Sequence, residues 1–286
     1  MSRTQGRLFR YMPHNSKCKC NGSALLRLQI KCADYVTVAI FLLICSYILY
    51  EVDSLSSLDA NYYLSAWTYL LHFLSQPSSY YLLYMPIMIV MLSRISDLGP
   101  YELMVYPRNK SRTEYIGGKL LAIVYYIVFS CFIVFLTSIV VFSCVSVPNK
   151  NWMEQITLLD RHGRGVLQEE LLNMPMGLII VSQIIMLMLS FIALGYFLVF
   201  LQTVLRKKNI SIIVCFGIDC FLLLGTKSDL PKWLFPILPY QYLFSPLFKS
   251  TSYVLYAIAY WLLIISGLLL MIIHLNTRKD LFFSNL

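Results

Sequence analysis

Residues 176–205 run thirty positions without one charged side chain. About 20 apolar residues are enough for a helix to cross the ~30 Å hydrocarbon core of a bilayer. Five further stretches have the same character: 34–50, 79–95, 119–145, 210–225 and 253–274. The first, second and fifth of the six spans are short and are expected to extend into their flanks. Helix is the default conformation, because lipid satisfies no backbone hydrogen bond. The alternating ten-residue segments of a membrane β-barrel are missing from the sequence. Composition agrees: 58% of the 286 residues are hydrophobic and 13% are charged, against roughly 45–50% and about 25% in soluble domains. Aromatic residues, at 15%, exclude a disordered chain. A disulfide scaffold is excluded too, since Cys45, Cys131, Cys215 and Cys220 lie inside apolar runs and read as small buried hydrophobes. The expected fold is an all-α integral membrane protein with six transmembrane helices.

Lysine and arginine set the orientation. The tail before Asp34 holds Arg3, Arg7, Arg10, Lys17, Lys19, Arg27 and Lys31 and no acid, whereas residues 51–77 hold three acids and no base. The stretch 94–119 carries five bases, and Arg206-Lys207-Lys208 joins the fourth and fifth spans. Seventeen basic residues fall on one side and six on the other, so both termini are expected in the cytoplasm. The positive-inside bias and anionic lipid account for the net charge of +9, and no nucleic-acid partner is implied. The chain divides into a basic tail (1–33), a transmembrane domain (34–274) and a cytoplasmic C-tail (275–286). No cleavable leader is expected, because the first apolar run starts some thirty residues in with no small-residue cleavage site after it.

Three segments are neither span nor plain loop. Residues 23–33 alternate apolar and basic positions directly before a span and read as an amphipathic helix lying in the interface. Residues 94–119 form a long loop broken by Gly99-Pro100 and Pro107. Within it, 101–106 makes one or two amphipathic turns, and Arg112, Tyr115 and Lys119 share a helical face. Residues 233–248 are apolar and aromatic but carry Pro236, Pro239 and Pro246, which forbid one straight helix. They fit short re-entrant or interfacial elements, with Trp233, Tyr240 and Tyr242 at headgroup depth. Residues 67–74 read as a smaller element of that kind.

Asp219 is the clear ionisable residue inside a span. A charge there costs about 2.5–3.5 kcal/mol on insertion scales, so it should face another helix, a subunit interface or a wet cavity. Gln183 and Gln202, in the fourth span, join it as substrate-pathway candidates, with interhelical glue as their ordinary role. Catalytic patterns fail. Glu169-Glu170 lacks the arginine that a CAAX-type intramembrane protease places after its paired acids. No G-x-S-x-G or H-E-x-x-H occurs. His14 with Cys18 and Cys20 lacks metal-ligand spacing. Gly225-Thr226-Lys227-Ser228 lacks the upstream glycine of a phosphate loop. No catalytic residue, metal or cofactor is expected in this chain.

The arrangement resembles the membrane-spanning permease subunit of bacterial type-2 ABC transporters, the ABC-2 exporter family. The likeness lies in an interface helix before span one, a long cytoplasmic loop between spans two and three, and a proline-rich element between spans five and six. Pro86 in span two, Glu102 in the loop, and Arg112, Tyr115 and Lys119 leading into span three are similar to small bacterial members. The resemblance implies a multi-pass protein of the plasma membrane, paired with a second permease subunit, identical or related. It implies a separate cytoplasmic ATPase that binds ATP and Mg and docks on Tyr101, Glu102, Leu103, Tyr106, Arg108, Arg112 and Tyr115. The implied cargo is amphiphilic, an antimicrobial peptide or a lipid-like molecule. The alternative classes are a six-span secondary transporter and an intramembrane lipid-modifying enzyme.

Overall fold

A computed structural model describes residues 47, 50, 65–75, 80, 84–96, 112–146, 176–205, 207–227, 243 and 251–283. The chain divides into two units, Met1–Asp34 and Tyr35–Leu286, and every described residue lies in the second. The expected interface helix at 23–33, the loop at 97–111, most of the first expected span (34–50) and most of the proline-rich element at 233–248 fall outside the described residues.

Six helices occur among the described residues: α1 Ala66–Ser75, α2 Met85–Ser96, α3 Arg112–Val145, α4 Met176–Leu205, α5 Lys208–Lys227 and α6 Thr251–Phe283. Three contain segments long and apolar enough to cross a membrane: Tyr115–Cys144, Gly177–Leu205 and Val254–Asn276.

α4 is the central element. Its most apolar stretch is 61% buried inside the protein, against 17% for α3 and 11% for α6. A helix that is apolar all round is stable only when it is surrounded by protein or lipid. α4 meets that condition with protein, packing against α1, α2, α3, α5 and α6. α3 and α6 turn Leu121, Val140, Leu255, Tyr256 and Leu263 outward, each more than 60% exposed. Exposed apolar side chains at that density need a hydrocarbon solvent, not water.

Side-chain contacts fix the helix directions. Early α4 and late α3 both meet α1: Gln183 reaches Leu74 O, and Phe142 stacks on Tyr69 with centroids 5.6 Å apart. Late α4 meets early α3, where Gly195 lies against Ile123. α3 and α4 are therefore antiparallel. α5 begins at Lys208 and packs back on α4, and Ser211 closes its first turn onto Lys207 O through both N–H (3.0 Å) and hydroxyl (2.8 Å). This turn, with Lys207 and Lys208, marks the basic end of the structure; α1 lies toward the other end.

α1 is packed inside the protein: Thr68 through Phe73 are each no more than 1% exposed, while Trp67 reaches outward. Ser65 caps it: its carbonyl accepts from the N–H of Thr68 and of Tyr69 (3.1 Å each), and its hydroxyl pairs with Thr68 Oγ1 at 2.8 Å. Pro86 is the second residue of α2.

Candidate functional site

The polar side chains of the apolar helices differ in what they touch. Most hydroxyls bond their own helix. Ser182 donates to Ile179 O (2.7 Å), Ser190 to Leu187 O (2.9 Å), Thr203 to Val199 O (2.8 Å) and Ser138 to Val134 O (2.8 Å). Such back-bonding satisfies the hydroxyl's donor locally.

Gln183 behaves differently. It is fully buried, and its Nε2 donates to Leu74 O (3.3 Å) and to Leu243 O (3.2 Å). Leu74 O belongs to the last turn of α1, one of the carbonyls a helix leaves without an intrahelical partner. One amide thus ties the end of α1 and the backbone at Leu243 to the central helix. Its Oε1 meets no hydrogen-bond partner among the described residues. The geometry is that of interhelical glue.

Asp219 is 8% exposed and shares the buried face of α5 with Ser211 and Cys215, one turn apart each. That face packs on α4 and α2. Gln202 is half-buried near the basic end of α4, and its Nε2 has no hydrogen-bond partner among the described residues.

These three candidates do not form one site. Gln183 and Gln202 are 19 residues apart on one helix, about 28 Å at ~1.5 Å per residue. Asp219 is 11 residues into α5, about 16 Å from the basic end, level with the middle of α4. They mark three depths along the bundle. Of the coupling residues, Tyr101, Glu102, Leu103, Tyr106 and Arg108 lie outside the described residues. Arg112 is the first residue of α3, and Tyr115 is buried one turn later. The helix that holds the expected span from residue 119 therefore starts seven residues earlier, its apolar segment starts at Tyr115, and Arg112, Tyr115 and Lys119 belong to one unbroken helix. No group of three or more His, Cys, Asp or Glu able to hold a metal occurs among the described residues.

Sequence reasoning missed a cleft of about 40 Å³ between α1, α2, α3 and α4. Leu74, Tyr84, Cys131, Ile184, Leu187 and Phe191 are among the residues that line it. Nothing in the linear pattern could have found it, because its walls come from four separate runs. No known protein family, curated protein or solved structure matches the chain.

Proposed function

We propose that this chain is the permease subunit of an ATP-driven exporter of the ABC-2 type, moving an amphiphilic peptide or lipid-like cargo across the plasma membrane. Six spans, with both termini in the cytoplasm, belong to this reading. So do a separate cytoplasmic ATPase, which holds ATP and Mg, and a second permease subunit.

The observation that carries the proposal is the continuity of α3. Its 34 residues measure about 51 Å at ~1.5 Å per residue, well beyond the ~30 Å of hydrocarbon. Arg112 rides on the overhang, and Tyr115 and Lys119 stand in the first turns of the apolar segment Tyr115–Cys144. A push on the loop that precedes Arg112 is carried by a rigid rod into the contacts of α3 with α1, α2 and α4. Coupling requires that the ATPase bind one arrangement of the helices better than another. A loop continuous with a span supplies such a difference.

The deciding experiment is co-purification. The tagged full chain is extracted in mild detergent and its companions are identified by mass spectrometry. A stoichiometric P-loop ATPase is the expected result. A homogeneous preparation without one, even after gentle cross-linking in membranes, overturns the proposal and returns weight to a secondary transporter built around Asp219.

A further inference from the structure

We propose that the Gln183 amide is the latch of a gate at the end of the bundle away from the basic turn. It holds the last turn of α1 against α4 until water reaches it. The device needs only the membrane setting of the helices. It stands or falls separately from the ATPase reading.

The depth of Gln183 suits a latch. It lies six residues inside the apolar segment Gly177–Leu205, about 9 Å at ~1.5 Å per residue. That segment has 29 residues and measures about 43 Å, so roughly 6 Å at each end stands outside the ~30 Å of hydrocarbon. Gln183 is therefore roughly 3 Å below the hydrocarbon boundary. At that depth the closed amide is dry, and a small separation of α1 from α4 is enough to wet it.

Its hydrogen bonds are poised rather than strong. Nε2 donates to Leu74 O at 3.3 Å and to Leu243 O at 3.2 Å, and two carbonyl acceptors fix which end of the amide is nitrogen. Oε1 is buried and meets no hydrogen-bond partner among the described residues. Two long hydrogen bonds made and one bare buried acceptor left are contributions of similar size and opposite sign. When the contact opens, water satisfies Oε1 and both backbone carbonyls together. The polar groups therefore favour neither arrangement strongly, and a modest difference in contacts elsewhere can choose between the two. Ser182 and Ser190 have no such part, because each bonds within its own helix in either arrangement.

The latch closes the rim of the cleft. Leu74 and Ile184, the residue after Gln183, both line it, and Leu187 lines it one turn further in. Moving the last turn of α1 away from α4 parts Leu74 from Ile184 and admits water from that end. Cys131 faces the same cleft from α3 and is a native reporter of the opening. Cys144, exposed on α3, and Cys215, buried on α5, are native references for an open and a closed thiol.

The test uses the full chain in lipid nanodiscs and a small, permanently charged thiol reagent, which travels through water and not through lipid. Labelling rates of the native cysteines are read by peptide mass spectrometry. In the parent chain Cys131 should react more slowly than Cys144 and measurably faster than Cys215. Gln183→Leu removes the latch and leaves both carbonyls bare, so it should speed Cys131 about fivefold, the weight of one net hydrogen bond, with Cys215 unchanged. Gln183→Glu, which cannot donate to either carbonyl and draws water, should speed it further. An uncharged, lipid-soluble maleimide enters sideways and should label Cys131 alike in all three chains. Cys131 as unreactive as Cys215 in the parent chain overturns the gate. So does an equal Cys131 rate in the parent and Gln183→Leu chains while Cys215 stays closed, because the amide is then fixed glue. If a variant loosens throughout, Cys215 rises with Cys131, and the comparison within the parent chain decides alone.

Discussion

Gly195 sits where three helices meet. A Cβ there would lie 2.7 Å from Ile123 Cγ2, 3.4 Å from Leu92 Cδ1 and 3.7 Å from Ile127 Cδ1. The first distance is below any tolerable contact, and Cγ2 is fixed to a β-branched carbon that cannot swing aside freely. Gly195→Ala should therefore destabilise the protein by about 1–3 kcal/mol. Gly217 faces open space, so Gly217→Ala should stabilise by about 0.5–1 kcal/mol through backbone entropy alone. Thermal unfolding of both variants in one detergent measures the contrast, and equal stabilities would remove the close approach of α3 and α4. In sequence the two glycines look alike, each in an apolar run. What separates them is a neighbour some seventy residues away, which no local pattern contains. Gln183 was more legible, since a polar residue in an uncharged run points to an interhelical bond. Its partners were not, because both are backbone carbonyls. Its role is that of donor: Gln183→Glu, which sets a carboxylate against two carbonyl oxygens, should destabilise more than Gln183→Leu. The leucine variant should lose about 1 kcal/mol. The reverse order, read by the same unfolding assay, would mean that the amide acts through its Oε1.

At the scale of elements, the long apolar helices were readable and their ends were not. α4 has the bounds read from sequence, because charge stops abruptly on its basic side. α3 starts at Arg112, although the Gly117-Gly118 pair and Lys119 make a span appear to begin at 119. Polar side chains at helical spacing extend the helix past the lipid without interrupting its hydrogen bonds. α6 continues to Phe283 past the expected end at 274 for the same reason. α1 was the harder element. Its ten residues are too few to span a bilayer, and Thr68 and His72 disguise a helix that is packed inside the protein. Such a short helix depends on its cap and its packing more than on propensity. Ser65→Ala removes the hydroxyl that pairs with Thr68 and should destabilise by about 1 kcal/mol. Hydrogen exchange should then rise at Thr68 and Tyr69 and stay unchanged in α4. Uniform exchange across α1 and α4 would mean that the cap holds nothing local.

For the whole molecule, the polar candidates lie at different depths, and this separates two kinds of defect. Arg112 opens α3 at the overhang, and Asp219 lies about 16 Å from the basic end along α5, on a face packed against α4 and α2. If an ATPase docks on the loop that ends at Arg112, charge reversal there should act on hydrolysis before it acts on cargo. Glu102→Lys with Arg112→Glu is therefore expected to abolish the permease-stimulated part of ATP hydrolysis, with membrane insertion and yield as in the parent. Asp219→Asn keeps the shape and hydrogen-bonding reach of the side chain and removes only its capacity for charge. It should leave stimulated hydrolysis in place while changing the rate or preference of cargo export. The two variants are compared in one proteoliposome preparation, where phosphate release and cargo movement are read together. Normal hydrolysis in the double variant would detach the loop from the ATPase. Unchanged export in Asp219→Asn would leave Asp219 as a packing acid between helices. A loss of both readouts in both variants would place the energetic coupling in the bundle as a whole, because neither end could then be perturbed without the other.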